Sequence, residues 1–436
     1  IVSTKYEAYQ QIGVCYKQLR EYERSILNLK KALEISQNSN TYYVLGNVYR
    51  ESGLFKEAED SFISSLKINK KNIKSKLSLA NLEIDKCNYY KSEKLIEEII
   101  KSKETSNEEK LIAKTLIGNI FKAQGNYQKA IDLNLSVLEE RPEDVHASYN
   151  LSLCYLFIKE FNKAWPYHES RFNLENLVLL KQIHNNIDKP RWDITRPKKN
   201  ILVYGEQGIG EQVLYSQYLE VIYNQFENLT IAVSEKLIPF FERIFINSKV
   251  IDYKLINHFH DYEYNLPFGS LGLFFQKYIT KENLIKKIDY PIDTKKVPEK
   301  IKKIRCGISW KSTNNIFGNK KSIELIKFKD IFVKENIEFI NLQYSNEQDD
   351  ISLLESKLDK RIFTKHNVDC FNDIDGVASL VKSCDYIITV SNSNAHLAGK
   401  LGIKTFLLLP LNDGKLWYWG QNQDNEILWY PSITPL

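Results

Sequence analysis

The chain has 436 residues, of which 43% are hydrophobic and 26% are charged, an ordinary composition for a globular protein. This length predicts two or three domains of about 150 residues each. The 60 basic and 55 acidic residues leave a formal net charge of +5. That balance argues against a nucleic-acid partner or an anionic membrane.

Cysteine usage and apolar runs bear on where the protein works. None of the six cysteines belongs to a C-x-x-C pair or to a group with zinc-ligand spacing, so we expect free thiols in a reducing compartment, the cytoplasm. No apolar run reaches the roughly 18 residues that a transmembrane helix needs. The chain begins with Ile1 and contains no methionine, which leads us to expect a fragment of a longer protein.

A repeated pattern runs through residues 1–172. Small residues recur at steps of 33, 34, 38 and 34, an aromatic residue usually follows three positions later, and a second small residue follows after twelve. The first small residues are Gly13, Gly46, Ala80, Gly118 and Ser152. A period near 34 with these positions is typical of tetratricopeptide repeats. We therefore predict an α solenoid of about five helix pairs.

The repeat pattern is broken in two places, and the array has two possible roles. Glu83 replaces the aromatic of the third repeat, and the 38-residue step is attributed to a longer loop at "KSKETSNE", residues 101–108. Such arrays bind peptides or proteins on their concave face. Support of the next domain, or dimerisation into a homo-oligomer, is an equal alternative.

Residues 173–200 lose the period and read as a connector. Pro190 and Pro197 argue against a continuing helix, and we expect Arg191 and Trp192 to pack against the domain that follows. After residue 200, apolar strand-like runs alternate with amphipathic helical stretches, which predicts parallel sheets covered by helices. A basic, proline-bearing link at 289–305 divides this α/β region into Rossmann-like halves at 201–297 and 298–436.

The first strand-end motif is "ILVYGEQGIGE", residues 201–211. Gly205, Gly208 and Gly210 have the spacing G-x-x-G-x-G, which is neither the dinucleotide fingerprint nor a P-loop. A phosphate cradle, a catalytic corner and a tight turn remain open here, although the carboxylates of Glu206 and Glu211 argue against phosphate. For Glu206 we expect a structural role in holding the turn.

Two further motifs offer anion-binding groups. Lys311 follows a strand directly, with hydroxyls beside it, and suits an anionic oxygen; a solvated surface lysine is the alternative. In "ITVSNSNAHLAGKLG", residues 388–402, four polar residues precede or begin a helix that carries His396 in its first turn. Free N–H groups there favour an anion, while simple N-capping and a packed histidine are the alternatives.

Together these motifs resemble tetratricopeptide-linked glycosyltransferases of the two-domain GT-B fold, related to bacterial lipopolysaccharide heptosyltransferases and more distantly to protein O-linked N-acetylglucosamine transferases. The resemblance implies a nucleotide-diphosphate sugar as donor substrate in the second half, an acceptor in the first half, and no metal or cofactor. It implies that Glu211 is the general base. The donor-binding residues that it implies are Lys311, Ser312, Gln343, Ser391, Asn392, Ser393, Asn394 and His396.

This chain departs from that family in several places. Glu211 and Ser391 each stand where the family has Asp, Asn392 replaces Thr, and the chain stops where relatives continue. Asp373-Ile374-Asp375 is formally a D-x-D metal motif, but we expect Asp375 to act as a helix N-cap. A non-catalytic interaction scaffold with a degenerate glycosyltransferase-like domain is therefore the alternative function. Transfer onto protein Ser or Thr, presented by the repeats, is a third possibility.

Overall fold

A computed structural model describes residues 2–174, 178–223, 225–284, 289–313, 318–345, 347–410, 414–420 and 426–436. The chain forms two compact units. The first contains the helices up to Ile158, and the second contains Lys159–Glu169 together with most of the chain beyond Leu179. No helix of the described ranges is both long enough and apolar enough to cross a bilayer.

The first unit is built from antiparallel helix pairs, which confirms the predicted solenoid. Its helices are α1 (Val2–Gln18), α2 (Tyr22–Ile35), α3 (Ser39–Glu51), α4 (Phe55–Ile68), α5 (Ile73–Asp85), α6 (Tyr89–Lys101), α7 (Asn107–Ala123), α8 (Tyr127–Glu140) and α9 (Val145–Phe157). The recurring glycines lie where two helices of a pair touch. A Cβ on Gly46 would lie 2.6 Å from the ring of Phe62, so only glycine allows this approach of α3 and α4.

The 38-residue step is not explained by a long loop, contrary to expectation. The segment between α6 and α7 has five residues, Ser102–Ser106, and α7 is four residues longer than α5. The insertion is therefore one extra helical turn at the start of α7. Ser106 caps this turn in a capping box with Glu109, which satisfies two orphan N–H groups and explains why the inserted residues are helical.

The degenerate third repeat replaces an aromatic ring with an ion-pair network. Glu83 is fully buried and accepts hydrogen bonds from Lys86 Nζ at 3.1 Å, Lys91 Nζ at 2.9 Å and Asn88 Nδ2 at 2.8 Å. Both lysines also pair with Glu59. A buried carboxylate is tolerated only when it is paired in this way.

The second unit contains two parallel sheets with helices between their strands. The elements of the first sheet region are α10 (Phe161–His168), α11 (Val178–Asn185), β1 (Asn200–Tyr204), α12 (Ile209–Ile222), β2 (Asn228–Val233), α13 (Ile238–Ile244), β3 (Lys249–Asp252), β4 (Tyr264–Pro267), α14 (Leu271–Phe275) and α15 (Lys281–Leu284). The strand order is β3-β2-β1-β4, and every pair is parallel.

The second sheet has six parallel strands in the order β10-β9-β8-β5-β6-β7. Its elements are β5 (Ile304–Ser309), α16 (Gly318–Lys321), α17 (Lys329–Phe332), β6 (Ile337–Asn341), α18 (Gln348–Leu358), β7 (Phe363–Thr364), α19 (Ile374–Ser383), β8 (Tyr386–Val390), α20 (Ser393–Lys400), β9 (Thr405–Leu408) and β10 (Ile433–Pro435). The central strands are buried and apolar, as expected of parallel strands covered on both faces.

Two segments before β1 pack on the first sheet region. Trp165 of α10 donates from Nε1 to Gln276 Oε1 at 3.0 Å. Trp192 is buried and stacks on Phe275 with ring centroids 5.7 Å apart, and Arg191 Nη2 donates to Ser270 Oγ at 2.8 Å. The predicted packing of Arg191 and Trp192 against the domain that follows is confirmed.

Replacing Glu83 by Gln should destabilise the repeat array. The substitution keeps the shape of the side chain but removes the charge that binds Lys86 and Lys91, and we expect a loss of about 2 kcal/mol in the free energy of unfolding. Urea denaturation measures this. Glu97→Gln, which removes an exposed partner of Lys101, is the matched control and should leave the midpoint unchanged. Equal effects of the two substitutions would contradict the role of the network.

Candidate functional site

The glycine turn and the polar turn of the third motif meet at the carboxyl ends of the two sheets. β1 ends at Tyr204 and α12 begins at Ile209, while β8 ends at Val390 and α20 begins at Ser393. Helices α12 and α20 pack against each other. A Cβ on Gly210 would lie 2.7 Å from His396 Cδ2. The fold therefore brings together two motifs that are about 185 residues apart in sequence, at the edges where parallel α/β sheets bind ligands.

Each glycine of the first motif makes room for a neighbouring side chain. Added Cβ atoms on Gly205, Gly208 and Gly210 would meet Gln212 at 2.6 Å, Glu211 Oε2 at 3.0 Å and His396 at 2.7 Å, respectively. None of the three has a positive φ. The glycines thus allow side chains of the protein to pack closely against the turn.

Glu211 and Glu206 have different environments. Glu211 lies in the first turn of α12, is half-buried, and accepts a hydrogen bond at Oε1 from the Tyr418 hydroxyl at 3.3 Å. Burial, together with the charge of Glu211, raises the pKa of Tyr418 well above 10, so this hydroxyl stays a neutral donor. Glu206 is buried and accepts from the Gly269 N–H at 2.9 Å. Glu206 therefore ties the turn to the segment after β4, as expected of a structural residue.

Lys321, the last residue of α16, is a site residue that the sequence analysis missed. It is only 9% exposed and forms no ion pair or hydrogen bond with the residues that the structure describes. Burial lowers its pKa, and the nearby carboxylate of Glu211 opposes that shift. Its charge also acts on His396. The sequence contained no signal for it, because nothing in "GNKKSIEL" distinguishes this lysine from the other basic residues.

His396 is buried between aromatic rings of the chain's last segments. Its Nδ1 lies 3.0 Å from the Tyr430 hydroxyl, and its ring centroid lies 4.7 Å from that of Trp419. Burial, and secondarily the charge of Lys321, lowers the pKa of His396 to about 3. The imidazole is therefore neutral at physiological pH. It is packed in the protein interior, which was the alternative considered from the sequence, and it lies beside Gly210 and near Lys321.

The polar residues before and within α20 mostly bind the protein itself. Asn392 Oδ1 accepts the N–H groups of Asn394 and Ala395, the geometry of an N-cap, and its Nδ2 donates to Ser309 Oγ at 3.1 Å. Asn394 Nδ2 donates to the backbone carbonyl of Leu342, the residue after β6, at 2.6 Å. The N-capping alternative thus describes Asn392.

The two serines of this turn differ from each other. Ser391 Oγ accepts from Trp419 Nε1 at 2.9 Å and is buried. Ser393 is the first residue of α20 and is partly exposed. Among the four polar residues of the turn, Ser393 is the one whose side chain reaches solvent.

Lys311 lies in a second, adjacent group whose charges are balanced. Its Nζ pairs with Glu347 and, at 2.8 Å, with Asp350. Burial works to lower the pKa of Lys311, but the hydrogen bonds to these two carboxylates raise it overall. The ammonium is charged and already paired in the absence of any ligand.

Gln343 and Ser312 complete this second group. Gln343 Oε1 accepts the N–H groups of Trp310 and Lys311, both at 3.0 Å, so it joins the ends of β5 and β6. The Ser312 N–H donates to Ser322 Oγ at 3.0 Å. Asn392 links the two groups through a bond to the Lys311 carbonyl at 3.3 Å. The motif of Lys311, "GISWKSTNN" at residues 307–315, ends in Asn314 and Asn315, which lie outside the described residues.

The D-x-D motif does not have the expected cap. Asp373, not Asp375, caps α19 by accepting the Gly376 N–H at 2.9 Å. Asp375 is buried and pairs with Arg243 at 2.7 Å, because it is the second residue of α19 and faces α13. Within the described ranges, no three His, Cys, Asp or Glu side chains are grouped so that they could hold a metal ion.

Comparisons with known proteins identify the repeats. The tetratricopeptide repeat model matches residues 6–39 and 39–72. Protein FlbA of Caulobacter vibrioides is 23% identical over 318 residues, which are 67% of this chain and 52% of that protein. The chain thus spans about half the length of the curated relative that it matches. The N-terminal region contains tetratricopeptide repeats.

Two solved structures are similar to part of this chain at low identity. PilF of Pseudomonas aeruginosa is 17% identical with a TM-score of 0.33, and covers 42% of this chain and 83% of its own. YrrB, described as a tetratricopeptide repeat protein with an unusual peptide-binding site, is 22% identical with a TM-score of 0.27, and covers 38% and 84%.

Acid should destabilise the protein in part through His396. Because its pKa falls from 6.5 to about 3 on folding, between these values the unfolded chain binds a proton that the folded chain does not. Its contribution is complete above pH 6.5 and is lost as the pH falls toward 3, with a slope of about 1.4 kcal/mol per pH unit. Urea unfolding at several pH values should show a shallower acid dependence in His396→Gln. The exposed His258→Gln should keep the wild-type slope, and an unchanged slope in His396→Gln would contradict this account.

Proposed function

We propose that the second unit is a metal-independent glycosyltransferase of the GT-B type, with the two sheets as its Rossmann-like halves. It would transfer a sugar from a nucleotide-diphosphate sugar to a hydroxyl of a glycan, a glycolipid or a protein. One observation carries the proposal. Glu211 of the first sheet region lies close enough to the nearly buried Lys321 of the second for its carboxylate to oppose the lowering of the Lys321 pKa by burial, beside the helix start of α20.

Lys321 is the group that we assign to the leaving diphosphate. An ammonium that is 9% exposed and has no partner among the described residues gains more from an anionic oxygen than one in a solvated ion pair, because both charges are only weakly screened. The helix start adds the Ser393 hydroxyl and the positive end of the helix dipole, while the N–H groups of Asn394 and Ala395 are already bound by Asn392. Lys311, the lysine proposed from the sequence, would first have to exchange Glu347 and Asp350 for the phosphate.

Glu211 is the group that we assign to the acceptor. Its carboxylate would take the proton of the acceptor hydroxyl while that oxygen forms a bond to the anomeric carbon. The bond from the anomeric carbon to the diphosphate oxygen breaks, and the electron pair leaves with the diphosphate. Tyr418 would position the base through its bond to Oε1. The longer Glu is accommodated because Gly208 leaves room for its carboxylate.

His396 and the paired groups would position rather than react. A neutral imidazole packed on Gly210 keeps α12 and α20 at a fixed distance without placing a second charge next to Lys321. Asn392, Asn394 and Gln343 join the strand ends to each other. In this proposal Ser391 and Ser312 likewise shape the donor side, and Ser393 is free to bind a phosphate oxygen.

The repeat array has the capacity to bind a protein or peptide partner. We propose that such a partner binds its concave face and is presented as an acceptor or as a regulator. A cytoplasmic location is part of this proposal, since nucleotide sugars and free thiols coexist there.

A non-catalytic scaffold is the second candidate function, and the neutralised Lys311 favours it. A degenerate donor site would contain a lysine held by two carboxylates, beside a turn whose amide side chains bond the protein itself. Binding of a nucleotide diphosphate without transfer to any acceptor in a cell lysate would select the scaffold.

Loss of the Lys321 ammonium should weaken donor binding more than loss of Lys311. We expect a nucleoside diphosphate or its sugar to raise the melting temperature of the wild-type protein. Lys321→Ala should lower the affinity by about tenfold or more, the magnitude of a lost charge-assisted hydrogen bond. Lys311→Ala should lower it less, and Lys327→Ala, which changes an exposed lysine, should not lower it. Calorimetric titration measures the three affinities. A larger loss in Lys311→Ala would transfer the donor role to Lys311.

Glu211→Gln should separate chemistry from binding. The amide keeps the shape of the side chain but cannot accept the acceptor's proton, so we expect turnover to fall by about 100-fold or more with unchanged donor affinity. Release of labelled sugar from the donor measures turnover. Glu242→Gln, an exposed carboxylate of the same sheet region, should keep wild-type turnover. Full turnover in Glu211→Gln would exclude it as the base.

A further inference from the structure

The amino-terminal edge of the second sheet carries a groove that the proposed function does not use. Parallel strands begin at the same edge of a sheet, so the segments that precede β5, β6 and β7 converge there. Between them lies a cavity of about 410 Å³. This edge is opposite to the carboxyl edge that carries Lys311 and α20. The groove is therefore separate from the candidate site.

The rim of this groove, here called the basic groove, is strongly cationic. Lys303, Lys334, Lys360 and Arg361 line it and are exposed. None of these four side chains forms an ion pair with another residue of the described ranges. Lys303 precedes β5, Lys334 precedes β6, and Lys360 and Arg361 precede β7. Lys303 belongs to the basic link at 289–305.

The carboxylates of the groove do not balance these charges. Glu338 is buried and is engaged by Arg305 Nε at 2.8 Å and Thr364 Oγ1 at 3.1 Å. Glu335 is the other acidic residue of the lining and is exposed. Four cations thus face one accessible carboxylate, and the net charge of the whole chain conceals this local excess.

Exposed aliphatic side chains border the same groove. Ile301 lines the groove, and Ile304 and Val333 are sequence neighbours of lining residues; the three are 49%, 41% and 50% exposed. The Ile304 N–H donates to the Asn336 carbonyl at 3.1 Å, which holds two of the segments together. Single exposed apolar residues are ordinary. Three of them beside unpaired lysines form the combination that binds the interface of an anionic bilayer.

We propose that the basic groove is a docking surface for a membrane containing anionic phospholipids. Lysines provide long-range attraction to the headgroups, and the three aliphatic side chains enter the interfacial layer. An acidic protein partner fits less well, because protein interfaces favour aromatic residues and Arg and are depleted in Lys. This inference is independent of the proposed function, since none of its residues belongs to the candidate site.

Vesicle flotation with the full chain tests this docking. Wild-type protein should bind vesicles of phosphatidylcholine mixed with phosphatidylglycerol, and should bind pure phosphatidylcholine weakly. Lys303→Glu, Lys334→Glu and Lys360→Glu together should lower binding by at least about tenfold. Lys327→Glu, Lys357→Glu and Lys365→Glu together form the control, because they change exposed lysines of the same half and shift the net charge equally. Melting temperatures verify that both variants are folded.

Two further experiments measure the contribution of the apolar side chains and separate lipid binding from binding of soluble anions. Ile301→Ser with Val333→Ser should remove the binding that persists at high salt, while leaving part of the low-salt binding. At equal ionic strength, inorganic phosphate should release no more protein from the vesicles than chloride does. Absence of wild-type binding, equal losses in the two triple variants, or release by polyglutamate at charge concentrations below those of the lipid would overturn the proposal.

Discussion

The contact between α12 and α20 is the constraint on which the candidate site depends. Gly210 allows α12 to approach the ring of His396, and one turn further along α20 the fully buried Lys400 donates to Gln217 Oε1 at 3.1 Å and pairs with Glu220. A buried ammonium without partners would cost several kcal/mol, roughly the penalty of an unpaired interior charge. The two sheets are thereby held in a defined register, and Glu211 is brought to the second sheet's strand ends.

Electrostatics distinguishes the two lysines near those strand ends. Lys311 lies among carboxylates and needs no ligand to balance its charge. Lys321 is nearly buried, is close to the carboxylate of Glu211, and acts on His396. Keeping His396 neutral avoids a second cation in this space. The same contrast occurs at the other edge of the second sheet, where the lysines of the basic groove have no acidic partners among the described residues. In both places we infer a ligand from a lysine without an acidic partner among the described residues, and not from the total charge of the chain.

Much of the fold could be predicted from the sequence, because periodicity and apolar runs are local signals. The solenoid, the strands β1, β2, β3, β5, β6, β8 and β9, and their parallel arrangement all followed from such patterns. The short strands β4, β7 and β10 were missed, because β4 and β10 contain a proline, which argues against a strand, and β7 has only two residues. The extra turn of α7 was predicted to be a loop because its residues are polar. The capping box of Ser106 and Glu109, which starts the helix there, was not recognised.

The candidate site was less predictable for a physical reason. Strand-end position correctly indicated which residues lie near the carboxyl edges, but not which charges are already neutralised by distant partners. Lys311 meets Glu347 and Asp350 only in the folded chain, and Lys321 is distinguished from other lysines only by its burial. Glu211 and His396 are likewise joined by tertiary packing. Local sequence does not record such pairings.

A crystal structure with the tightest-binding nucleoside diphosphate would test the central claim most directly, because it locates the phosphates relative to both lysines. The account predicts phosphate oxygens within hydrogen-bonding distance of Lys321 Nζ and of Ser393 at the start of α20, with the sugar side directed toward Glu211. Phosphates bound by Lys311 alone, or at a position remote from α12 and α20, would contradict it.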